Sequence, residues 1–196
     1  MGMQYDVWAV TPAASADDNF YVESVTPSGS GALTLANTTP SVNGCGYKVV
    51  LTTAADESAV NFTIVGTGVN GLQITETFAG PSSATTKLST NYFASVSSIS
   101  VDAGTAGAII LGYSVDFALP RTRIKGFYFT GAASAGSVIV TRASDSKVLL
   151  NIATPAGTST SGSLYMAAEG ILIGAGLNEY ATVARTNVAS VTFVCG

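Results

Sequence analysis

The residues that could do chemistry in this chain are few, and none is a histidine. Without an imidazole, neither a Ser-His-Asp nor a Cys-His arrangement can be assembled. Carboxylates, lysines and tyrosines remain. Carboxylates stand side by side at Asp17-Asp18 and Asp56-Glu57. Neighbours on a strand point to opposite faces and neighbours in a loop are usually solvated, so both pairs read as surface loop charges. Glu76 reads as a solvent-facing strand residue, with Leu72, Ile74 and, after a slip of phase, Phe78 forming the apolar side. A hydrolase working with two carboxylates would need Glu76 and Asp102 or Asp116 to face each other across a cleft roughly 5–10 Å wide.

Metal and cofactor chemistry finds little support. A calcium loop needs oxygen ligands at alternate positions around a glycine, and Asp17-Asp18-Asn19 and Asn43-Gly44 are only fragments of one. Cys45 and Cys195 lie far apart and cannot close a zinc site by themselves. They read either as two buried thiols of a protein made in a reducing compartment or as a disulfide tying the C-terminus to the first domain. The glycine pairs match neither a phosphate-binding loop nor a dinucleotide fingerprint, because no strand–loop–helix unit surrounds them. Asn37-Thr-Thr and Asn61-Phe-Thr are formal glycosylation sequons, but the N-terminus shows no export signal. The expectation is no enzyme, no catalytic residue, no metal and no cofactor.

The elements that would position such residues are strands. Of the 196 residues 47% are hydrophobic and only 10% charged, against about 25% charged in ordinary domains. Ser, Thr, Asn and Gly fill the polar positions, which favours strands and turns over helix interiors. A surface so poor in charge lacks the usual protection against association and suits a protein that sits in an assembly. The net charge is −4, with Lys and Arg scattered apart from Arg121-Thr-Arg123-Ile-Lys125. That leaves no basic face for nucleic acid. No apolar run approaches the roughly 18 residues of a membrane span.

From Gly31 onward short apolar runs alternate with turn signals. Predicted strands cover Gly31–Ala36, Tyr47–Thr53, Phe62–Gly66, Leu72–Phe78, Ser95–Val101 and Ala108–Leu111. Thr67-Gly-Val-Asn-Gly71 reads as a hairpin with glycines at positive φ, and Asp102–Gly107 as another hairpin pairing the runs that flank it. Leu119-Pro120-Arg121 marks a boundary, because Pro removes a ladder donor. The pattern then restarts with Ile124–Thr130, Ser137–Arg142 and Val148–Ala153, followed by four shorter runs to Val194. Phe127-Tyr128-Phe129 is the one aromatic cluster, and its members alternate faces. The fold class expected is all-β: two small antiparallel β-sandwich or jelly-roll-like domains, 31–118 and 121–196, after an irregular N-terminal arm or lead-in over 1–30.

That lead-in holds Tyr5, Trp8 and Phe20. Large aromatics in a terminal segment gain burial energy by docking, so it reads as an arm on a partner or as a lid on its own core. As an arm, it would make Tyr5, Trp8 and Phe20 the interface anchors.

Two stretches carry a resemblance. Val60–Gly80, VNFTIVGTGVNGLQITETFAG, and Asn91–Gly112, NYFASVSSISVDAGTAGAIILG, resemble a pattern recurrent in virion proteins of tailed bacteriophages. The second domain, from IKGFYFTGAASAGSVIV (124–140) onward to ASVTFVCG (189–196), is similar to small phage β-domains attached to head or tail structures. The resemblance implies a structural protein of the virion, assembled in the host cytoplasm, and more narrowly a capsid decoration or cement protein. Its partner would be the major capsid protein, engaged as a homo-oligomer or a symmetric array, with no nucleic acid or membrane involved. The alternative it implies is a tail or neck component or a receptor- or glycan-binding module, which would expose aromatics on one sheet face.

Overall fold

A computed structural model describes residues 8–12, 15–40, 45–166, 170–173 and 179–196, with Trp8 as backbone alone. Their regular structure is entirely strand: β1 (Trp8–Val10), β2 (Asp17–Val25), β3 (Gly31–Ala32), β4 (Gly46–Thr53), β5 (Asn61–Gly68), β6 (Gln73–Ala79), β7 (Thr86–Val101), β8 (Ile109–Leu119), β9 (Arg123–Gly131), β10 (Gly136–Arg142), β11 (Val148–Thr154), β12 (Ser161–Tyr165), β13 (Ile171–Leu172), β14 (Ala181–Thr186) and β15 (Val188–Cys195). Every pairing with a described register is antiparallel. The fold is all-β, of antiparallel sandwich type. Two compact units share the chain, one spanning Ser15–Val115 and the other Asp116–Gly196 together with β1.

In the Ser15–Val115 unit the strand order runs β8-β4-β7-β5-β6, with β2 on β8 and β3 on β7. β4 is buried along nearly its whole length, as expected of an apolar strand held between two neighbours. β5 instead alternates, with Phe62 and Ile64 fully buried between half-exposed Thr63 and Val65. The sixteen residues of β7 change partners along their length. Thr86–Phe93 pairs with β4, whereas Phe93–Val101 pairs with β5 and, at its end, with β3. Bulges at Val65/Gly66 and Thr67/Gly68 accompany the handover, where the ladder is locally disrupted and the twist increases. Tyr21, Tyr47, Phe62, Phe93, Ile99, Ile109 and Leu111 fill the core.

In the other unit, the end of β8 starts a ladder that continues through β14 and β10 to β11. A second sheet, sheet A, has the order β1-β15-β9-β12, with β13 also on β9. Phe117 of the first sheet meets Phe193 of sheet A edge-on at 6.1 Å, and Phe193 lies 6.4 Å from Phe127. Val138, Val140, Val183, Ile124 and Val191 complete the buried layer. β8 stops at Leu119, where Pro120 can donate no further ladder bond.

Four sequence expectations are corrected. The stretch assigned to an irregular arm carries β1, which pairs Trp8 with Cys195 and Val10 with Phe193, and most of it beyond Ala16 belongs to β2. Val10 and Tyr21 are fully buried, so burial of their side chains fixes the segment. The runs flanking Asp102–Gly107 do not form a hairpin, because β4 lies between β7 and β8. The hairpin of β5 and β6 does form, in register from Asn61↔Ala79 to Thr67↔Gln73. Gly71 alone of its two glycines takes positive φ (77°), while Gly68 continues the strand. Finally, β6 shows no slip of phase: Ile74, Glu76 and Phe78 are half-buried on one side while Gln73, Thr75 and Thr77 face water.

Candidate functional site

The acids picked out by sequence are mostly used by the fold itself. Glu57, expected on the surface, is 1% exposed. Its carboxylate accepts the backbone N–H groups of Ala106 (3.0 Å) and Gly107 (2.7 Å). Its own N–H donates to the Pro81 carbonyl at 2.8 Å. A Cβ on Gly80 would fall 2.6 Å from the Glu57 carbonyl oxygen, so only glycine lets the two segments pass this closely. Nearby, the Ala54 N–H donates to the Ala108 carbonyl at 2.9 Å. Glu57 is therefore a clasp that seats the 102–107 connection over the loop before β5. A buried charge demands such partners, since an unsatisfied carboxylate in the interior is strongly unfavourable.

Glu76 does the same on a smaller scale, accepting the N–H groups of Thr90 (2.6 Å) and Asn91 (2.9 Å). Its position on the half-buried side of β6 corrects the solvent-facing expectation, because the acid reaches across to amides in β7. Asp102 accepts both the N–H and the side-chain amide of Asn61, at 2.8 and 2.7 Å. The Asn61 amide first and its backbone N–H second hold the Asp102 carboxyl below the usual range. Asp56 closes a local turn on Ser58, whose backbone N–H and then hydroxyl lower its pKa. Glu76 and Asp102 thus serve separate backbone sites. Among the described residues no cluster of three or more His, Cys, Asp or Glu side chains gathers for a metal ion.

Both cysteines are buried free thiols. Burial pushes the Cys195 thiol up to about 11, against a smaller lowering by a hydrogen bond with Thr122. Of the aromatic anchors, Tyr5 lies outside the described residues, as does the side chain of Trp8. Phe20 is half-buried and packs edge-on against Tyr21 (5.2 Å) and Tyr113 (5.1 Å) in its own unit.

One exposed surface departs from this inward use of polar groups. The outer face of sheet A carries two cross-strand rows, Ser163–Tyr128–Thr192 and Ser161–Thr130–Ser190, fixed by the registers of β12, β9 and β15. Neighbouring strands lie about 4.8 Å apart and alternate residues about 7 Å apart, so the hydroxyls form a grid on those spacings. They line an open depression of about 380 Å³ with no charged lining residue. Tyr128 is 41% exposed and Tyr165 67%. Their rings meet edge to face, 5.8 Å between centroids and 87° between planes. Gly126 permits this, because a Cβ there would stand 2.8 Å from the Leu164 carbonyl oxygen and 3.3 Å from the Tyr165 ring. The opposite face of the same strands holds Phe127, Val191 and Phe193 in the core.

Sequence reading marked Phe127-Tyr128-Phe129 as an aromatic cluster with alternating faces, without singling out Tyr128. Tyr165 and the serines carried no signal, because their meeting depends on how β12 and β15 flank β9. No protein-family model and no curated protein matches the chain, which leaves residue chemistry and geometry to carry its function.

Proposed function

We propose that this chain is a non-catalytic structural protein of a tailed-bacteriophage virion, a capsid decoration protein that binds the major capsid protein and stabilises the head. The observation that carries the non-catalytic part is the use of acids. Glu57, Glu76 and Asp102 each accept two hydrogen bonds within the fold, so none is left poised as a general acid or base. The resemblance of Val60–Gly80 and Asn91–Gly112 to virion proteins supports the choice of assembly. These segments build the hairpin of β5 and β6, β7 and the start of β8. A charge-poor surface rich in Ser and Thr supports packing against neighbours at little desolvation penalty, whereas the exposed pair Tyr128 and Tyr165 is what the glycan-binding alternative expects.

The test is to locate the chain in cryo-EM maps of whole particles. Many copies following the capsid lattice are expected. A few copies at one vertex would replace the head assignment by a tail or neck role, and absence from particles would overturn both. Deleting the N-terminal segment is a poor probe of an anchor, since removal of Met1–Asn19 takes away β1 and the first residues of β2.

A further inference from the structure

We propose that the outer face of sheet A is a binding site for a neutral oligosaccharide, with Tyr165 and Tyr128 as its stacking platform. Three observations across β9, β12 and β15 converge there. Two exposed tyrosine rings meet edge to face, Tyr128 in the lining of the depression and Tyr165 against it with much of its ring in solvent. The apolar C–H face of a pyranose stacks on such a ring, and truncating an exposed aromatic of this kind removes much of a ligand's affinity. Beside the rings, Thr130, Ser161, Ser163, Ser190 and Thr192 present hydroxyls that donate and accept. Sugar hydroxyls need that dual capacity. The depression, at about 380 Å³, falls within the roughly 300–1,000 Å³ of small-molecule sites.

Charge decides the class of sugar. None of the residues lining the depression carries a charge, so nothing there compensates the desolvation of a carboxylate or sulfate. Uronic acids, sialic acids and sulfated glycans are therefore poor ligands, and neutral hexoses suit the site. Thr192 is already tied to Thr11 through their hydroxyls at 3.1 Å, which orders one corner of the grid before any ligand arrives.

The experiment is affinity electrophoresis of the purified chain in gels containing neutral polysaccharides (mannan, xyloglucan, galactan, mixed-linkage glucan) or anionic polygalacturonate. Retardation is expected in at least one neutral gel and not in polygalacturonate. Tyr165→Ala and Tyr128→Ala should each weaken it about tenfold or more, while Tyr165→Phe, which keeps the ring, binds like the parent. Leu88→Ser, at an exposed residue of β7 in the other unit, serves as the control that should change nothing. Unchanged circular dichroism and melting temperature show that the tyrosine variants fold. No retardation in any neutral gel, retardation that survives both alanine variants, or preference for polygalacturonate would each overturn the proposal. So would a dimer in analytical ultracentrifugation that Tyr165→Ala abolishes, since a second copy would then occupy the face. Because the isolated chain is tested, this result and the particle maps succeed or fail separately.

Discussion

The Glu57 clasp and the outer face of sheet A use polar groups in opposite ways. At the clasp a carboxylate is taken out of water and held by two backbone amides, so that a connection between strands has one position. On sheet A the polar groups are hydroxyls left in the open around two tyrosines. Charge serves the inside because a buried carboxylate binds amide donors strongly and tolerates nothing else. Hydroxyls suit the outside because desolvating them is comparatively cheap. A protein with few charges has placed several where they hold loops. Lys87 follows the same rule, donating to the Ala79 carbonyl at 2.7 Å with its ammonium 5.9 Å from the Phe78 ring.

The sharpest way to break this contrast is on sheet A itself. Phe193→Ala, on the buried face, should destabilise the protein by about 3–5 kcal/mol, read from the urea midpoint. Tyr165→Ala, on the outer face of the same sheet, should stay within about 0.5 kcal/mol of the parent. If both variants lost similar stability, the outer face would be part of the core's support and unsuited to a ligand.

Glu57→Ala comes next, at about 2–3 kcal/mol, with faster hydrogen exchange at the Ala106 and Gly107 amides. Glu57→Gln should lose about 1–2 kcal/mol, since it keeps one acceptor but turns an amide N–H toward a donor. A glutamine variant as stable as the parent would mean that the carboxylate's charge is not what holds the loop.

Asp102 gives a pH readout of the same idea. Its folded pKa is depressed by Asn61, so the unfolded chain binds the proton more readily at low pH. The stability it adds is present above the ordinary carboxylate range and is lost as pH falls through the folded value, below about pH 4. The gap between parent and Asp102→Asn should therefore close as pH is lowered through that window, and a gap independent of pH would contradict it. The smallest effect concerns Cys195: with its thiol pushed up to about 11 and buried, iodoacetamide at pH 8 should leave it unmodified until denaturant is added.

Much of this fold was legible because strand signals are local. Alternation in Phe62-Thr-Ile-Val and the Asn70-Gly71 turn placed the β5–β6 hairpin, since both act within a few residues. The lack of histidine was likewise a property of the chain, and it removed triads and most metal sites before any folding. Strand order was not local. Asp102–Gly107 has the composition of a hairpin, yet β4 lies between the strands that the loop connects. No propensity near the loop encodes that insertion.

The same division separates the chemistry. Sequence alone determined which groups exist: few charges, two thiols, tyrosines and many hydroxyls. Tertiary structure decided what each one faces. Glu57 became a buried clasp because its amide partners lie 49 and 50 residues further on. Tyr128 and Tyr165 became neighbours because β12 pairs with β9. An acid in a loop and a tyrosine in a strand look the same in sequence whether they end inside or outside. Their exposure is fixed by strands far along the chain, through the close packing that only the completed sheets provide.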